Sequence, residues 1–171
     1  PQDALNLFKF HADFTTPANS TFTGPTVIPI AAFDSMLSTC SGRSCIPQPG
    51  TTNRVDHLGY RQRPTHRLAY RNYGTHESLV TNQSVEGSTG MSGARWWEIR
   101  SPNAAPPVLY QEGTYNPGAT DGIHRWMGSI AMDYVGNMAL GFSASNGTAP
   151  NYPSVWYTGR LAADTLGTMP Q

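Results

Sequence analysis

The residues that can carry chemistry are few and lie far apart along the chain. His76 and Glu77 are adjacent and have the side chains of an acid–base pair. Adjacent residues of a strand point to opposite faces, so catalysis there would need a further partner on one face. Asp133 lies in a Gly-containing turn, where one carboxylate falls short of the six to eight oxygens that calcium takes. Asp133 is therefore a weak metal candidate, and we expect no cofactor.

Signatures of the common catalytic classes are missing from the sequence. There is no Gly-X-Ser-X-Gly elbow, no His-Glu-X-X-His pair, no phosphate loop and no dinucleotide fingerprint. The 11 acidic residues are spread singly, whereas a site that cleaves a polysaccharide needs carboxylates that converge. These patterns favour a binding or structural role over an enzymatic one.

The two cysteines, Cys40 and Cys45, are separated by four residues. Redox motifs usually have a two-residue spacer, and a zinc site would need a second pair of Cys or His ligands. We interpret the pair as a small disulfide, which is typical of an oxidising compartment. Three Asn-X-Ser/Thr sequons, at Asn19, Asn82 and Asn146, fit a secreted eukaryotic protein. We expect a secreted or periplasmic protein.

The composition limits both the fold class and the kinds of partner. The 171 residues are enough for one domain with a core, and 11 basic residues balance 11 acidic ones. A net charge of zero argues against nucleic acid and anionic membranes as partners. No run approaches the roughly 20 apolar residues of a membrane helix. The 17 Gly and 14 Pro, with abundant Ser, Thr and Asn, are typical of an all-β chain with many turns.

Short apolar runs between turn residues predict the strands. The clearest pair, 129–132 and 138–142, flanks a turn at 133–137 whose Asp, Gly and Asn favour tight turns, and it predicts an antiparallel hairpin. Residues 34–65 look irregular, and 86–93 read as a Gly/Ser loop. Other strands are predicted at 5–14, 66–72, 77–85, 95–100, 108–112 and 154–160. Residues 21–24 either begin a second strand or form a turn into 26–33, and Pro29 restricts that run to an edge or an extended connection.

Two consecutive units of about 60 residues share one order of features. The segment from Trp96 to Arg100 aligns with that from Trp156 to Arg160, and Gly74 aligns with Gly136. Both units begin with a His-Arg pair, at 66–67 and 124–125. We interpret features that recur in both units as architectural, with aromatics that fill space between sheets and Arg groups that satisfy carbonyls or stack on rings.

Repeated units of four short strands are typical of β-propeller blades. The 129–142 hairpin resembles the Asp-box of sialidase-like propellers, although its Asp-to-Gly spacing is one residue longer and the final Trp is missing. The last two-thirds of the chain is similar in style to segments of uncharacterised secreted bacterial proteins with propeller-like repeats. The resemblance implies an all-β, propeller-like fold, with about two four-stranded blades and an N-terminal half-blade, as part of a larger propeller. It implies no activity.

The predicted organisation is a half-blade at 1–33, an irregular insertion with the disulfide loop at 34–65, and blades at 66–123 and 124–171. Other blades of the same protein, or companion chains, are expected to complete the ring. We expect an extracytoplasmic structural or binding module that presents a propeller surface to a protein or glycan. The alternative is a fragment of a secreted polysaccharide-acting hydrolase or lyase.

Binding residues are predicted from side-chain type, because Trp, Tyr and Arg dominate binding hot spots. The predicted set combines three aromatic residues with the His-Glu pair of the first hairpin turn: Trp97, Tyr110, Trp126, His76 and Glu77.

Overall fold

The computed structural model describes residues 3–57, 63–104 and 106–170. Residues 1–2 of the predicted half-blade, 58–62 of the insertion, 105 of the first blade and 171 of the second lie outside the described residues. Within them the chain is mostly strand, which confirms the all-β prediction. No described helix is long and apolar enough to cross a membrane.

Eleven strands and two single-turn helices make up the described chain. The strands are β1 (Ala4–His11), β2 (Thr21–Pro29), β3 (Ser44–Ile46), β4 (Val55–Asp56), β5 (Ala69–Asn72), β6 (Glu77–Ser88), β7 (Met91–Arg100), β8 (Val108–Tyr115), β9 (His124–Met132), β10 (Met138–Ser145) and β11 (Ser154–Arg160). A 3₁₀ turn spans Pro17–Asn19, and helix α1 spans Gly118–Asp121.

All strand pairs are antiparallel and form four sheets. The hairpins β1–β2 and β3–β4 are two-stranded. A four-stranded sheet has the order β5-β6-β7-β8, and a three-stranded sheet has the order β11-β10-β9. The predicted 133–137 turn joins β9 to β10, with Asp133 N donating to Asn137 O at 2.9 Å.

The predicted Gly/Ser loop at 86–93 is wrong. Strands β6 and β7 extend through this region and leave only residues 89–90 between them. Gly90 has a φ of 74°, which a tight hairpin turn requires and which Gly adopts without steric cost. The Glu86 carboxylate accepts hydrogen bonds from Gly90 N and from the Ser38 hydroxyl, so a charged side chain fixes this turn to a distant segment.

The two larger sheets pack face to face. Alternation along β6 and β7 sends Val80, Ala94 and Trp96 toward the three-stranded sheet, which contributes Leu140 and Phe142 from β10. All five side chains are buried. Covering a large apolar side chain stabilises a fold by about 1.5–3 kcal/mol, so this interior is the main source of stability.

The outer face of the four-stranded sheet is covered by the N-terminal segment. Phe33 packs edge-on against Trp97, with ring centres 6.0 Å apart. The Arg95 guanidinium lies 5.8 Å from the Trp97 ring centre and forms an ion pair with Glu112, Nη2 to Oε2, at 2.7 Å. The carbonyl of Ala31 also accepts from Arg95, so the connection after β2 is held against this face.

The irregular insertion covers part of the outer face of the three-stranded sheet. Cys40 and Cys45 form the predicted disulfide. Cys45 and Ile46 are buried with Leu37 against Trp126 of β9. The described residues of the insertion therefore act as a structural cover for this part of the sheet.

Two histidines are buried in this region: His57 in the insertion and His124 at the start of β9. His57 is fully buried, and neither ring nitrogen has a hydrogen-bond partner among the described residues. Burial lowers its pKa, against the attraction of Asp56. His124 is also buried, and its Nδ1 accepts from Ser92 N at 3.3 Å. Burial, with smaller contributions from the nearby charges of His57 and Arg54, lowers the pKa of His124 to about 4.

We expect stability to fall as pH falls from about 6.5 to 4. In this range His124 is protonated in the unfolded chain but neutral in the folded chain. Because the unfolded state binds more protons, lowering the pH stabilises it relative to the folded state. A shift from 6.5 to about 4 corresponds to a loss on the order of 3 kcal/mol. Urea unfolding at a series of pH values measures it. His124→Gln should make the profile less steep in this range, with the remaining slope including the contribution of His57, and an unchanged profile would contradict the assignment.

We expect Trp96→Ala to lower the free energy of unfolding by about 3–5 kcal/mol, because it leaves a large cavity between the sheets. Its repeat equivalent, Trp156, is 37% exposed, whereas Trp96 is 1% exposed. Trp156→Ala is therefore the matched control and should cost about 1 kcal/mol. Urea denaturation of both variants checks this, and equal losses would contradict the burial difference.

Candidate functional site

A polar cavity of about 180 Å³ lies at one end of the sandwich, where β7 and β11 both end. We call it the end pocket. Its lining comes from the β5–β6 turn, the β9–β10 turn, the ends of β7 and β11, the start of β8 and the segment after β11. The lining residues are Tyr73, His76, Glu98, Arg100, Tyr110, Gln111, Met132, Val135, Gly136, Arg160, Ala162 and Leu166.

The end pocket is built from equivalent parts of the two sequence units. Gly74 and Gly136 have φ values of 79° and 94°, and each forms the turn that follows the first strand of its unit. Arg100 and Arg160 end the third strand of each unit, and both line the pocket. The repeat therefore brings two tight turns and two arginines to one place.

Glu98 is the buried charge at the base of the pocket. Its carboxylate accepts hydrogen bonds from Ser78 Oγ at 2.7 Å, Gln111 Nε2 at 2.6 Å and Arg100 Nε at 2.9 Å. Burial alone would raise the pKa of Glu98, but the hydrogen bonds from Gln111, Arg100 and Ser78 and the Arg100 charge hold it below its ordinary value. Glu98 is therefore an ionised, fully engaged group.

Arg100 and Tyr110 form the open wall of the pocket. The guanidinium carbon of Arg100 lies 3.2 Å from the Tyr110 ring centre, a close cation–π stack. The bond from its Nε to Glu98 fixes the orientation of the guanidinium plane. Tyr110 remains partly exposed. This wall therefore combines an aromatic ring with a rigidly held donor group.

His76 and Tyr73 form another part of the lining, and their rings stack with centres 4.8 Å apart. The Tyr73 hydroxyl donates to Asp133 O at 3.0 Å and so ties the two hairpin turns together. Burial raises the pKa of Tyr73, so the hydroxyl keeps its proton. Arg160 also lines the pocket and is buried, and its Nη2 donates to Asp164 O at 2.7 Å.

The end pocket brings together two of the five predicted binding residues, His76 and Tyr110. Glu77 follows His76 but does not line the pocket. Its carboxylate accepts from the Tyr70 hydroxyl at 2.5 Å and from Asn103 Nδ2 at 2.8 Å. His76 and Glu77 therefore have separate partners, as expected for adjacent residues that point to opposite faces.

The other two predicted binding residues lie in the interior. Trp97 is fully buried on the outer face of the four-stranded sheet, and its indole N–H donates to Glu112. Trp126 is buried beneath the insertion. In this structure both rings contact core residues and not solvent.

Asp133 acts as a turn former. Its Oδ1 accepts from Val135 N and from Asn137 N, both at 2.9 Å, and its Oδ2 accepts from Asn137 Nδ2 at 2.8 Å. The described residues contain no group of three or more His, Cys, Asp or Glu side chains placed to hold a metal ion.

Sequence reasoning missed Glu98, Gln111 and Tyr73 as pocket residues, and it treated the arginines as architectural. The arginines do fill that role, since one stacks on a ring and the other bonds a carbonyl. A signal was present: Glu98 and Arg100 lie on the same face of one strand, and the arginine recurs in the second unit. Comparisons with protein-family models, curated proteins and solved structures gave no match.

We expect Glu98→Gln to lower the free energy of unfolding by about 2–4 kcal/mol. The amide would turn an NH₂ group toward donors that need an acceptor, and it would leave Arg100 without its counter-charge. Glu77→Gln is the matched control, because Glu77 is more exposed, and it should cost less than about 1 kcal/mol. Urea denaturation at pH 7 measures both. Equal effects would contradict the role given to the buried carboxylate.

Proposed function

We propose that this chain is an extracytoplasmic binding module that holds one unit of a glycan partner in the end pocket. The observation that carries the proposal is the wall formed by Tyr110 and Arg100, in which a partly exposed ring lies beside a guanidinium held by Glu98. Ligand sites combine apolar and aromatic surface with a few fixed polar groups, and this wall has that composition.

The size of the end pocket favours a small ligand group. Its volume of about 180 Å³ lies below the roughly 300–1,000 Å³ of pockets that enclose drug-sized molecules. One sugar ring is a suitable occupant, because it offers an apolar face to Tyr110 and hydroxyl groups to Arg100 and His76. A protein partner would have to insert a single side chain.

The alternative function, hydrolysis or lysis of a polysaccharide, has less support. Glycosidases use two carboxyl groups about 5–9.5 Å apart, one of which must be a proton donor. Of the residues that line the end pocket, Glu98 is the one acidic residue. Its lowered pKa and its three hydrogen bonds suit a structural carboxylate better than an acid catalyst.

We further propose that the two larger sheets are propeller-like blades. Successive blades of a propeller pack face to face, as these sheets do, and the repeat gives both sheets one order of features. The third strand of each unit ends in an arginine, and both arginines lie at the same end of the sandwich. Additional blades, from the same protein or from companion chains, would complete the ring.

The disulfide supports an extracytoplasmic location, secreted or periplasmic. Such bonds persist in oxidising compartments and are rare in the reducing cytosol. Cys40 and Cys45 form one here, and the described chain has no free cysteine.

The proposal predicts glycan binding that depends on the end pocket. In an NMR titration with a panel of soluble neutral and acidic oligosaccharides, we expect amide shifts to concentrate in the two turns and at Arg100 and Tyr110. Tyr110→Ala should weaken binding at least about tenfold, which is a loss of about 1.4 kcal/mol. The expected cause is the loss of both the stacking surface and the support of Arg100.

Tyr152→Ala is the matched control, because Tyr152 is an exposed tyrosine just before the start of β11, the opposite end from the pocket. It should leave the affinity unchanged. Shifts that concentrate elsewhere, or equal losses in the two variants, would contradict the site. Release of new reducing ends from any oligosaccharide would favour the enzymatic alternative.

A further inference from the structure

The lining of the end pocket carries more positive than negative charge. Arg100 and Arg160 both line it, and Glu98 is the one acidic side chain among the described lining residues. Glu98 forms an ion pair with Arg100, so the charge of Arg160 is in excess within the lining. The pocket therefore attracts an anion, and the attraction is stronger beside buried groups than in bulk water.

The sequence repeat explains this excess of positive charge. Arg100 ends β7 and Arg160 ends β11, at equivalent positions of the two units. In β7, Glu98 lies two positions before the arginine and so points to the same face of the strand. The equivalent residue of β11 is Thr158, so the second unit places no carboxylate at this position.

Arg160 is buried with incomplete hydrogen bonding. It is 2% exposed, and its Nη2 donates to Asp164 O at 2.7 Å, but its Nε has no hydrogen-bond partner. A buried cationic group with an unsatisfied donor is costly in free energy. An anion in the pocket would offset part of this cost through charge attraction, without contact to Nε itself.

The acidic residues of the two segments beside the pocket bond within their own turns. Asp133 Oδ1 accepts from Val135 N and from Asn137 N, both at 2.9 Å. Asp164 Oδ2 accepts from Leu161 N at 2.7 Å. Neither aspartate lines the pocket. Their carboxylates therefore stabilise turns and leave the cavity itself open to an anionic group.

Arg100 offers donors that suit a carboxylate. Its Nε bonds Glu98, and no hydrogen bond of its Nη groups is formed among the described residues. The stack on Tyr110 holds the guanidinium plane, and the Arg100 side chain is 29% exposed while that of Glu98 is 3% exposed. The paired N–H groups of a planar guanidinium match the geometry of a carboxylate. Arg100 is therefore oriented in advance and accessible to a ligand.

We propose that the sugar unit held in the end pocket is a uronic acid, whose carboxylate binds the Nη groups of Arg100 near the charge of Arg160. This assignment, which rests on the proposed glycan binding, narrows the ligand from glycans in general to acidic ones. A uronic acid has a carboxylate in place of the hydroxymethyl group of a neutral hexose, so its size suits the same cavity of about 180 Å³. A sulfate or phosphate ester adds a bulky tetrahedral group. The sugar ring keeps an apolar face for Tyr110.

An NMR titration with matched ligands tests the charge of the sugar. The probes are short oligomers of galacturonate and of glucuronate, each also as its methyl ester, which keeps the ring, the linkage and the hydroxyl groups but removes the charge. We expect an acidic oligomer to bind at least about tenfold more tightly than its ester. Its amide shifts should concentrate at Arg100, Tyr110 and the turn that contains Gly136.

Arg100→Lys tests the role of the guanidinium. Lysine keeps a positive charge beside Glu98 but loses the paired planar donors, so the acidic oligomer should bind at least about fivefold more weakly. The ester should change by less than about twofold. Arg43→Lys is the matched control, because Arg43 is exposed in the disulfide loop and does not line the pocket. It should leave both affinities unchanged, and amide spectra without ligand confirm that each variant is folded.

Equal affinity of acid and ester at the end pocket overturns the uronic-acid assignment and leaves the proposed glycan binding in place. Equal losses in Arg100→Lys and Arg43→Lys also overturn it. So does pocket binding of neutral oligosaccharides without binding of the acidic ones. If no oligosaccharide, acidic or neutral, shifts the amides of the pocket, both the assignment and the proposed function are wrong. The comparison of acid with ester uses the unaltered chain, so it decides the charge even where a variant fails to fold.

Discussion

The alternation of β6 and β7 is the constraint on which the rest of the structure depends. Because side chains alternate across a strand, the inner face receives Trp96 and Glu98 while the outer face receives Arg95 and Trp97. A slip of one residue would exchange these faces and place the Arg95–Glu112 ion pair against the apolar side chains of the second sheet. The ion pair costs least where it lies now, beneath an N-terminal segment that supplies a carbonyl and a ring.

The end pocket follows from the same packing. Two sheets with similar strand orders, stacked face to face, bring their equivalent turns and third-strand ends to one end of the sandwich. Two arginines that meet in this way would repel, and Glu98 resolves part of that conflict by pairing with Arg100 while Ser78 and Gln111 satisfy its remaining acceptor sites. The carboxylate occurs in the first unit alone, since the second unit has Thr158 at the equivalent position. By holding Arg100 it fixes the guanidinium that stacks on the Tyr110 ring.

Local sequence signals predicted the elements well and the surfaces poorly. The 154–160 strand, the hairpin around Asp133 and the disulfide depend on turn residues and short spacings, which the sequence states directly. Whether an aromatic residue is exposed depends on which distant segment covers its face. Trp126 is buried because the insertion lies on it, and Trp97 because Phe33 does, and neither contact has a local signature. No distant segment covers Tyr110 in this way: its ring stacks on Arg100 of the neighbouring strand and stays 36% exposed.

The segments that cover the outer face of the three-stranded sheet also explain why side-chain size varies along that face. The insertion covers the outer face at Trp126. Further along this face the residues are small, as at Ala131, Ala139 and Gly141, so leaving them exposed to solvent loses little apolar burial. Small residues make an uncovered sheet face inexpensive in free energy, so no further cover is needed there. Val155 and Tyr157 break this pattern on the neighbouring strand.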